Sequence, residues 1–343
     1  MRALYQSSWP LTLLKPLGLL YAFLAKCRRG LYARDLLKTQ KVEAPVISIG
    51  NLAVGGNRKT PLAAWVAEVL SQHGFKPAIL SRGHSRKIPR YSPEPLVVSQ
   101  GAGPLVTPEV AGDEPYLLAS QTSAMVVVAK KRFLAARLAI SLGANILILD
   151  DGFQHLGLSR DLDILSLVGA KPFGNGLVLP AGPLRESLAT GSRADLCLVS
   201  ADAPSNPWRL PQFEASLELI GLRDLKTNEL FNLEAIQKSR LAAFCGLAKP
   251  WEFQKSLKNW GLEPVVLRAF PDHAKYDQAQ KRELIKFHKC SQAEWLLTTP
   301  KDAVKLKGLN LPILAVETKL TPKEPLQLVS SLMAILRHKG WTI

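Results

Sequence analysis

The chain has 343 residues, 47% of them hydrophobic, which sets a prior of about two domains and excludes a disordered chain. A formal charge of +16 speaks of anionic partners rather than of a fold. The four cysteines, Cys27, Cys197, Cys245 and Cys290, are too widely spaced for a zinc site or a disulfide framework, and a reduced, cytosolic setting fits them.

From Trp9 to Ala25 the chain is mostly apolar, interrupted at Lys15 and Pro16. The unbroken run is shorter than the ~20 residues a spanning helix needs. Lys26, Arg28, Arg29, Arg34, Lys38 and Lys41 follow. No A-x-A cleavage site is present, and the basic flank opposes export. The pattern predicts an interfacial helix with a basic collar, suited to an anionic cytoplasmic leaflet. A core helix of the first domain is the alternative.

Strands are predicted at 46–49, 77–80, 96–98, 124–129, 145–149, 162–167 and 196–199, with helices at 61–70, 113–120 and 131–142. Such alternation predicts an α/β fold, a mostly parallel sheet with helices on both faces. Ligands in these sheets bind beyond the carboxyl ends of the strands, where Asn51, Arg82 and Asp150 fall. A proline-containing break at 204–211 interrupts the pattern. Beyond it, strands at 240–245, 264–267, 295–298 and 313–316 and helices at 251–260, 277–288 and 325–337 indicate a second, smaller α/β domain. The expected organisation is a membrane-associating segment at 1–38, a P-loop-type domain at 39–215 and the smaller domain at 216–343, whose last helix can pack back on the first.

The stretch "SIGNLAVGGNRKTP" (48–61) reads as a phosphate loop. Backbone amides of Ala53, Val54, Gly55, Gly56, Asn57 and Arg58, at a helix start, would make an anion cradle. Lys59 would reach the β/γ phosphates and the Thr60 hydroxyl would meet Mg²⁺. The strict pattern G-x-x-x-x-G-K-[ST] fails twice, at Ala53 and Arg58, and an ordinary strand–turn–helix with an exposed lysine fits the same letters. In "LDDGFQHLGLSRDLDIL" (149–165) an apolar strand ends in Asp150 and Asp151, the carboxylates a strand-end Mg²⁺ site needs. Gln154 and His155 follow into the same region; a plain Asp-Gly surface turn is the competing reading. Asp113, in "GDEPYLLA" (112–119), suits a helix N-cap, and a carboxylate there can also accept a hydroxyl proton. His273 stands in "FPDHAKY" (270–276), where a lone histidine is usually a packed or surface one.

Together with "LSRGHSRK" (80–87), "PFGNGLVLPAGPLRES" (172–187), "FCGLAKPWEF" (244–253) and "TTPKDAVKL" (298–306), these segments resemble the tetraacyldisaccharide 4'-kinase family, the lipid A kinases, in the family's order and over nearly the whole chain. The resemblance implies transfer of the ATP γ-phosphoryl group to the 4'-hydroxyl of an acylated glucosamine disaccharide 1-phosphate. It implies a peripheral or monotopic protein on the cytoplasmic face of the bacterial inner membrane, with a site between two α/β domains. Carried over, Lys59 and Thr60 hold phosphate and Mg²⁺, Asp150 and Asp151 are the strand-end acids, Asp113 is the base and His273 its partner. Arg82, Arg185 and Glu186 are cleft residues.

Two positions depart from the family pattern: Arg58 replaces a glycine, and His84 replaces a tyrosine. If position 58 is left-handed, arginine costs about 1–2 kcal/mol there. The competing readings are another P-loop kinase of a sugar or cofactor and a catalytically reduced homologue that binds nucleotide or lipid. No N-K-x-D supports a guanine-specific enzyme, no recognition motif supports nucleic-acid binding, and no protein partner is predicted.

Overall fold

The structure is a computed structural model and describes residues 13–55, 58–83, 86, 95–236, 238–306 and 308–342. By its contacts the chain forms two compact units. One holds the residues up to Ser216 and those from Leu320, and the other is Leu217–Lys319.

The first unit contains α1 (Lys15–Ala33), β1 (Val46–Gly50), α2 (Lys59–Gln72), β2 (Pro77–Ser81), β3 (Leu96–Gln100), α3 (Pro108–Ala111), α4 (Asp113–Gln121), β4 (Met125–Val128), α5 (Arg132–Ser141), β5 (Ile146–Asp150), β6 (Leu162–Leu167) and β7 (Leu196–Val199). Its strands lie in the order β3-β4-β2-β5-β1-β6-β7, parallel except for β3 against β4. β1, β2, β5, β6 and β7 are buried at every residue. Helices cover both faces of such strands, so they read as mostly apolar runs without alternation, with Ser48, Asp163 and Ser166 among the buried exceptions. The register sets Ile49 opposite Asp150, which brings the carboxyl ends of β1 and β5 together.

The core-helix alternative for the N-terminus does not hold. Leu17, Leu19, Leu20, Phe23 and Leu24 of α1 are exposed, and Gly18 is its buried residue. A Cβ at Gly18 would lie 3.0 Å from the Val178 carbonyl oxygen, so glycine allows the helix to approach there. Arg29 fixes the other end through Glu186 at 3.1 Å. Residues 9–12 of the predicted apolar stretch lie outside the described residues. Among the described residues no helix is long and apolar enough to cross a membrane.

The chain leaves the first unit inside β8 (Gln212–Asp224) and returns inside β13 (Ile313–Pro322). β8 lies outside the strands expected from the sequence, although "QFEASLELIGLRD" alternates as a half-buried strand does. The second unit adds β9 (Leu230–Phe231), β10 (Leu241–Cys245), α6 (Pro250–Asn259), β11 (Leu267–Ala269), α7 (Gln278–Ser291), β12 (Trp295–Thr298) and α8 (Pro300–Ala303). Its strand order is β11-β10-β12-β13-β8. The strand expected at 264–267 lies at Leu267–Ala269, although pairing with β10 begins earlier, with the Val265 amide donating to the Leu241 carbonyl at 2.8 Å. The last helix, α9 (Pro325–His338), belongs with the first unit.

Candidate active site

β1 ends at Gly50, where a Cβ would lie 2.5 Å from the Cβ of Phe153. Glycine therefore lets the strand end meet the turn that follows β5. Asn51 is fully buried; its Nδ2 donates to the Ala53 carbonyl at 2.6 Å, and Gln154 Nε2 donates to the Asn51 carbonyl at 2.9 Å. The segment 183–185 lies antiparallel to the loop. Ala53 bridges Leu184, the Val54 amide donates to Pro183 at 2.8 Å, and the Arg185 amide donates to Leu52 at 2.7 Å. This pairing delivers the Arg185 side chain to the strand end.

Lys59 opens α2, and its ammonium donates to Asn51 Oδ1 and the Gly55 carbonyl, both at 3.1 Å. It also lies 3.6 Å from Asp151 Oδ1. Thr60, the next residue of the helix, is half-buried. Gly56 and Asn57 lie outside the described residues, as does His84.

The two strand-end acids have opposite electrostatics. Asp150 is buried, and its pKa is pushed up to about 7, first by burial and then by repulsion from Glu114 and Asp151; Lys59 and Arg132 oppose the shift. Its Oδ1 is buried with no hydrogen-bond partner. Burial also acts to raise the pKa of Asp151, but Lys59 and Arg185 outweigh it and hold the carboxyl below its ordinary range. Arg185 Nη1 donates to both Asp151 oxygens, at 2.9 and 2.8 Å, and to Gln154 Oε1 at 3.3 Å. Asp151 adopts φ +55, a left-handed conformation that aspartate tolerates better than most residues.

Asp113 is not the N-cap. Gly112, at φ 91, caps α4, and Asp113 is the half-buried first residue of the helix. Its neighbour Glu114 is felt electrostatically at Asp150, so this first turn belongs to the same region. His155 is half-buried; burial and then Arg132, Arg160, Arg28 and Arg82 lower its pKa to about 4, so it is neutral at pH 7. Arg82 follows β2 and is exposed. Glu186 is committed to Arg29 at 3.1 Å and Arg193 at 3.3 Å, which ties α1 to the domain. Arg28 of the same helix donates to the Gln154 carbonyl at 3.5 Å. His273 lies in the second unit.

Arg58 is in the left-handed region, at φ 55 and ψ 23, so the strain of about 1–2 kcal/mol applies. Its Nη1 donates to the Ala215 carbonyl at 3.4 Å. Arg58→Gly should therefore alter kcat and the KM for ATP by less than tenfold, or under about 1.4 kcal/mol. Parallel turnover measurements check this. A larger loss would put the guanidinium on phosphate, and a large gain would mark the natural loop as impaired.

Arg132 is a site residue that the sequence does not point to. It is 3% exposed, and its guanidinium donates to the Ala129 carbonyl at 2.9 Å and the Asp150 carbonyl at 3.2 Å. It thus clamps the carboxyl ends of β4 and β5, with β2 between them. Burial lowers its pKa to about 10, with Asp150 and Asp151 acting to raise it. The available signal was its place in the first turn of α5, where a cation opposes the helix dipole.

The family model described as Tetraacyldisaccharide-1-P 4'-kinase matches residues 10–337. The chain belongs to the tetraacyldisaccharide 4'-kinase family. The Tetraacyldisaccharide 4'-kinase of Pelobacter propionicus is 40% identical, over 95% of this chain and 93% of its own length. That of Desulfotalea psychrophila is 36% identical, over 89% and 91%. The crystal structure of "apo" form LpxK from Aquifex aeolicus in complex with ATP superposes with a TM-score of 0.78 at 33% identity. That match covers 95% of this chain and 99% of the Aquifex chain.

Proposed function

We propose that this kinase-family chain transfers the γ-phosphoryl group of ATP to the 4'-hydroxyl of an acylated glucosamine disaccharide 1-phosphate. The observation that carries the reading is Lys59 at the carboxyl end of β1, held between Asn51, Gly55 and Asp151 and beside Asp150. Phosphoryl transfer requires positioning and charge neutralisation more than covalent chemistry.

In this reading the amides of Gly55 and of residues 58–60 at the start of α2 cradle the phosphates, the Val54 amide being held by the Pro183 carbonyl, and Lys59 exchanges its protein acceptors for phosphate oxygens. Thr60, Asp150 and Asp151 fit Mg²⁺. The donors are hard oxygens, and Asp150 carries a buried carboxylate oxygen with no partner. Among the described residues no cluster of three or more His, Cys, Asp or Glu could cage a metal. Mg²⁺ usually takes one or two carboxylates and fills its shell with phosphate and water oxygens. When bound, it would offset charge on the phosphates. Asp113 accepts the proton of the 4'-hydroxyl, and His273 serves as a second acid–base group in the transfer. Arg185 and Arg82 supply positive charge for anionic groups, and Gln154 and His155 supply polar contacts around them.

Incubation with labelled ATP, Mg²⁺ and the disaccharide 1-phosphate in detergent tests the reading; label at the 4' position is the expected result, and label elsewhere or none refutes it. Lys59→Ala should lower kcat about a hundredfold, because a preorganised charge at the transferring group is lost. Its melting temperature should stay near that of the natural protein. Turnover within threefold of the natural protein would remove the loop from the mechanism.

The exposed apolar residues of α1 and the basic residues after them suit the cytoplasmic leaflet of the inner membrane. Leu19→Glu with Phe23→Glu should abolish co-sedimentation with anionic phospholipid vesicles while leaving turnover in detergent within about twofold, since a bilayer contact and no core contact is removed. Unchanged sedimentation would assign the helix another role.

A further inference from the structure

The segment "TTPKDAVKL" (298–306) has no part in the chemistry described so far. In the second unit its residues surround the loop that carries His273. Asp302 is fully buried. Its Oδ2 accepts from the Gly246 amide at 2.9 Å and from Thr299 Oγ1 at 2.8 Å. The Gly246 carbonyl in turn accepts from the His273 amide at 3.2 Å. A Cβ at Gly246 would lie 2.8 Å from Asp302 Oδ1, so this contact depends on glycine. Lys305 Nζ donates to the Ala274 carbonyl at 2.9 Å. Tyr276 is buried edge-on against Phe244 and Phe270.

These contacts hold a conformation the loop would not keep alone. His273 and Tyr276 have φ of +58 and +51, a region uncommon outside glycine that histidine tolerates better than the bulky tyrosine does. Strained backbone of this kind persists where its surroundings over-determine it. The ring itself is also met: Lys301 Nζ lies 3.4 Å from His273 Nε2. An ammonium has donors and no lone pair, so the ring nitrogen it meets must be the acceptor. A proton on Nε2 would set two donors against each other.

We propose that Lys301 is a positioning residue for His273, fixing the imidazole as the tautomer with an unprotonated Nε2 and its proton on Nδ1, on a loop that Asp302 and Lys305 hold in place. This rests on the assignment of His273 to the phosphoryl transfer. Nδ1 is buried in the structure, so this tautomer leaves Nε2 as the ring's defined acceptor; a hydrogen bond that selects the tautomer is how a functional histidine is oriented. A merely structural lysine would hold the loop without setting the proton.

The full chain labelled with ¹⁵N-histidine tests this by NMR, with His273→Gln assigning the resonances. In the natural protein at pH 8, Nε2 should resonate in the unprotonated range and Nδ1 in the protonated range. Lys301→Met should shift the ring toward the Nε2-protonated form and lower kcat at least tenfold, with the KM for ATP within twofold and an unchanged melting temperature. Lys301→Arg should restore the tautomer and most of the turnover. A ring protonated on Nε2 in the natural protein, or a tautomer unchanged in Lys301→Met, overturns the proposal. A kcat unchanged in Lys301→Met overturns it as well. The underlying assignment fails separately: His273→Gln with natural turnover would remove His273 from the reaction whatever the tautomer.

Discussion

Replacing Asp113 with asparagine should lower kcat by about a thousandfold while changing the KM for ATP less than threefold, since positioned acid–base groups contribute roughly 10²–10⁴. Asparagine has the shape of the aspartate and can occupy the first turn of α4 after the Gly112 cap. It cannot accept the hydroxyl proton. The loss of one favourable charge at a helix start costs on the order of 0.5 kcal/mol, and Glu114 remains to face the dipole. Folding and catalysis should therefore separate cleanly. Steady-state kinetics with the lipid acceptor, beside a thermal melt, provide the check. An effect confined to KM would make Asp113 a binding residue.

Asp150→Asn should abolish turnover, to below about a thousandth, and yet stabilise the cation-free protein at pH 8. The pKa of the buried carboxyl is raised from its ordinary value to about 7. In the unfolded chain the group ionises near 4. Folding therefore favours the protonated form. That contribution is fully present below pH 4, fades as the pH rises toward 7, and above 7 leaves the fold carrying a buried carboxylate. An amide is neutral throughout. The gain at pH 8 should be roughly 1–4 kcal/mol, the upper figure being the whole shift of about three pKa units; at pH 4 it should vanish. Melts without divalent cation at both pH values test this. Added Mg²⁺ should raise the melting temperature of the natural protein at pH 8 and not that of the variant. A variant less stable at pH 8 would mean that Asp150 supports the fold.

These predictions share a cause in how the sheet is built. A carboxylate at a buried strand end is costly until a cation arrives, and a lysine parked on protein oxygens is ready to change partners. Sites of phosphoryl transfer need this readiness, because the charge they stabilise belongs to the substrate.

Much of this was legible along the chain. The parallel α/β sheet follows from short apolar runs alternating with helical segments, since strands covered on both faces are apolar along most of their length. The placement of Asp150 and Asp151 was readable because they stand where an apolar run ends, and that of Lys59 because it opens the helix after the glycine-containing turn that follows β1; strand ends in such sheets share one side. The partners of those residues were not readable. Arg185 reaches Asp151 because residues 183–185 pair with the phosphate loop, a contact between segments more than a hundred residues apart in the chain. Arg132 clamps the ends of β4 and β5, two strands on either side of β2 that only the sheet order brings within its reach and that no local pattern relates. Glu186 has the composition of a cleft acid, but a neighbour on α1 claims it. The handedness of Arg58 was posed by the letters and decided by the loop geometry. Local propensity and hydrophobic period determine elements and their ends. Which charges then meet is decided by long-range packing, because a charge buried by that packing must find its partner wherever the fold places one.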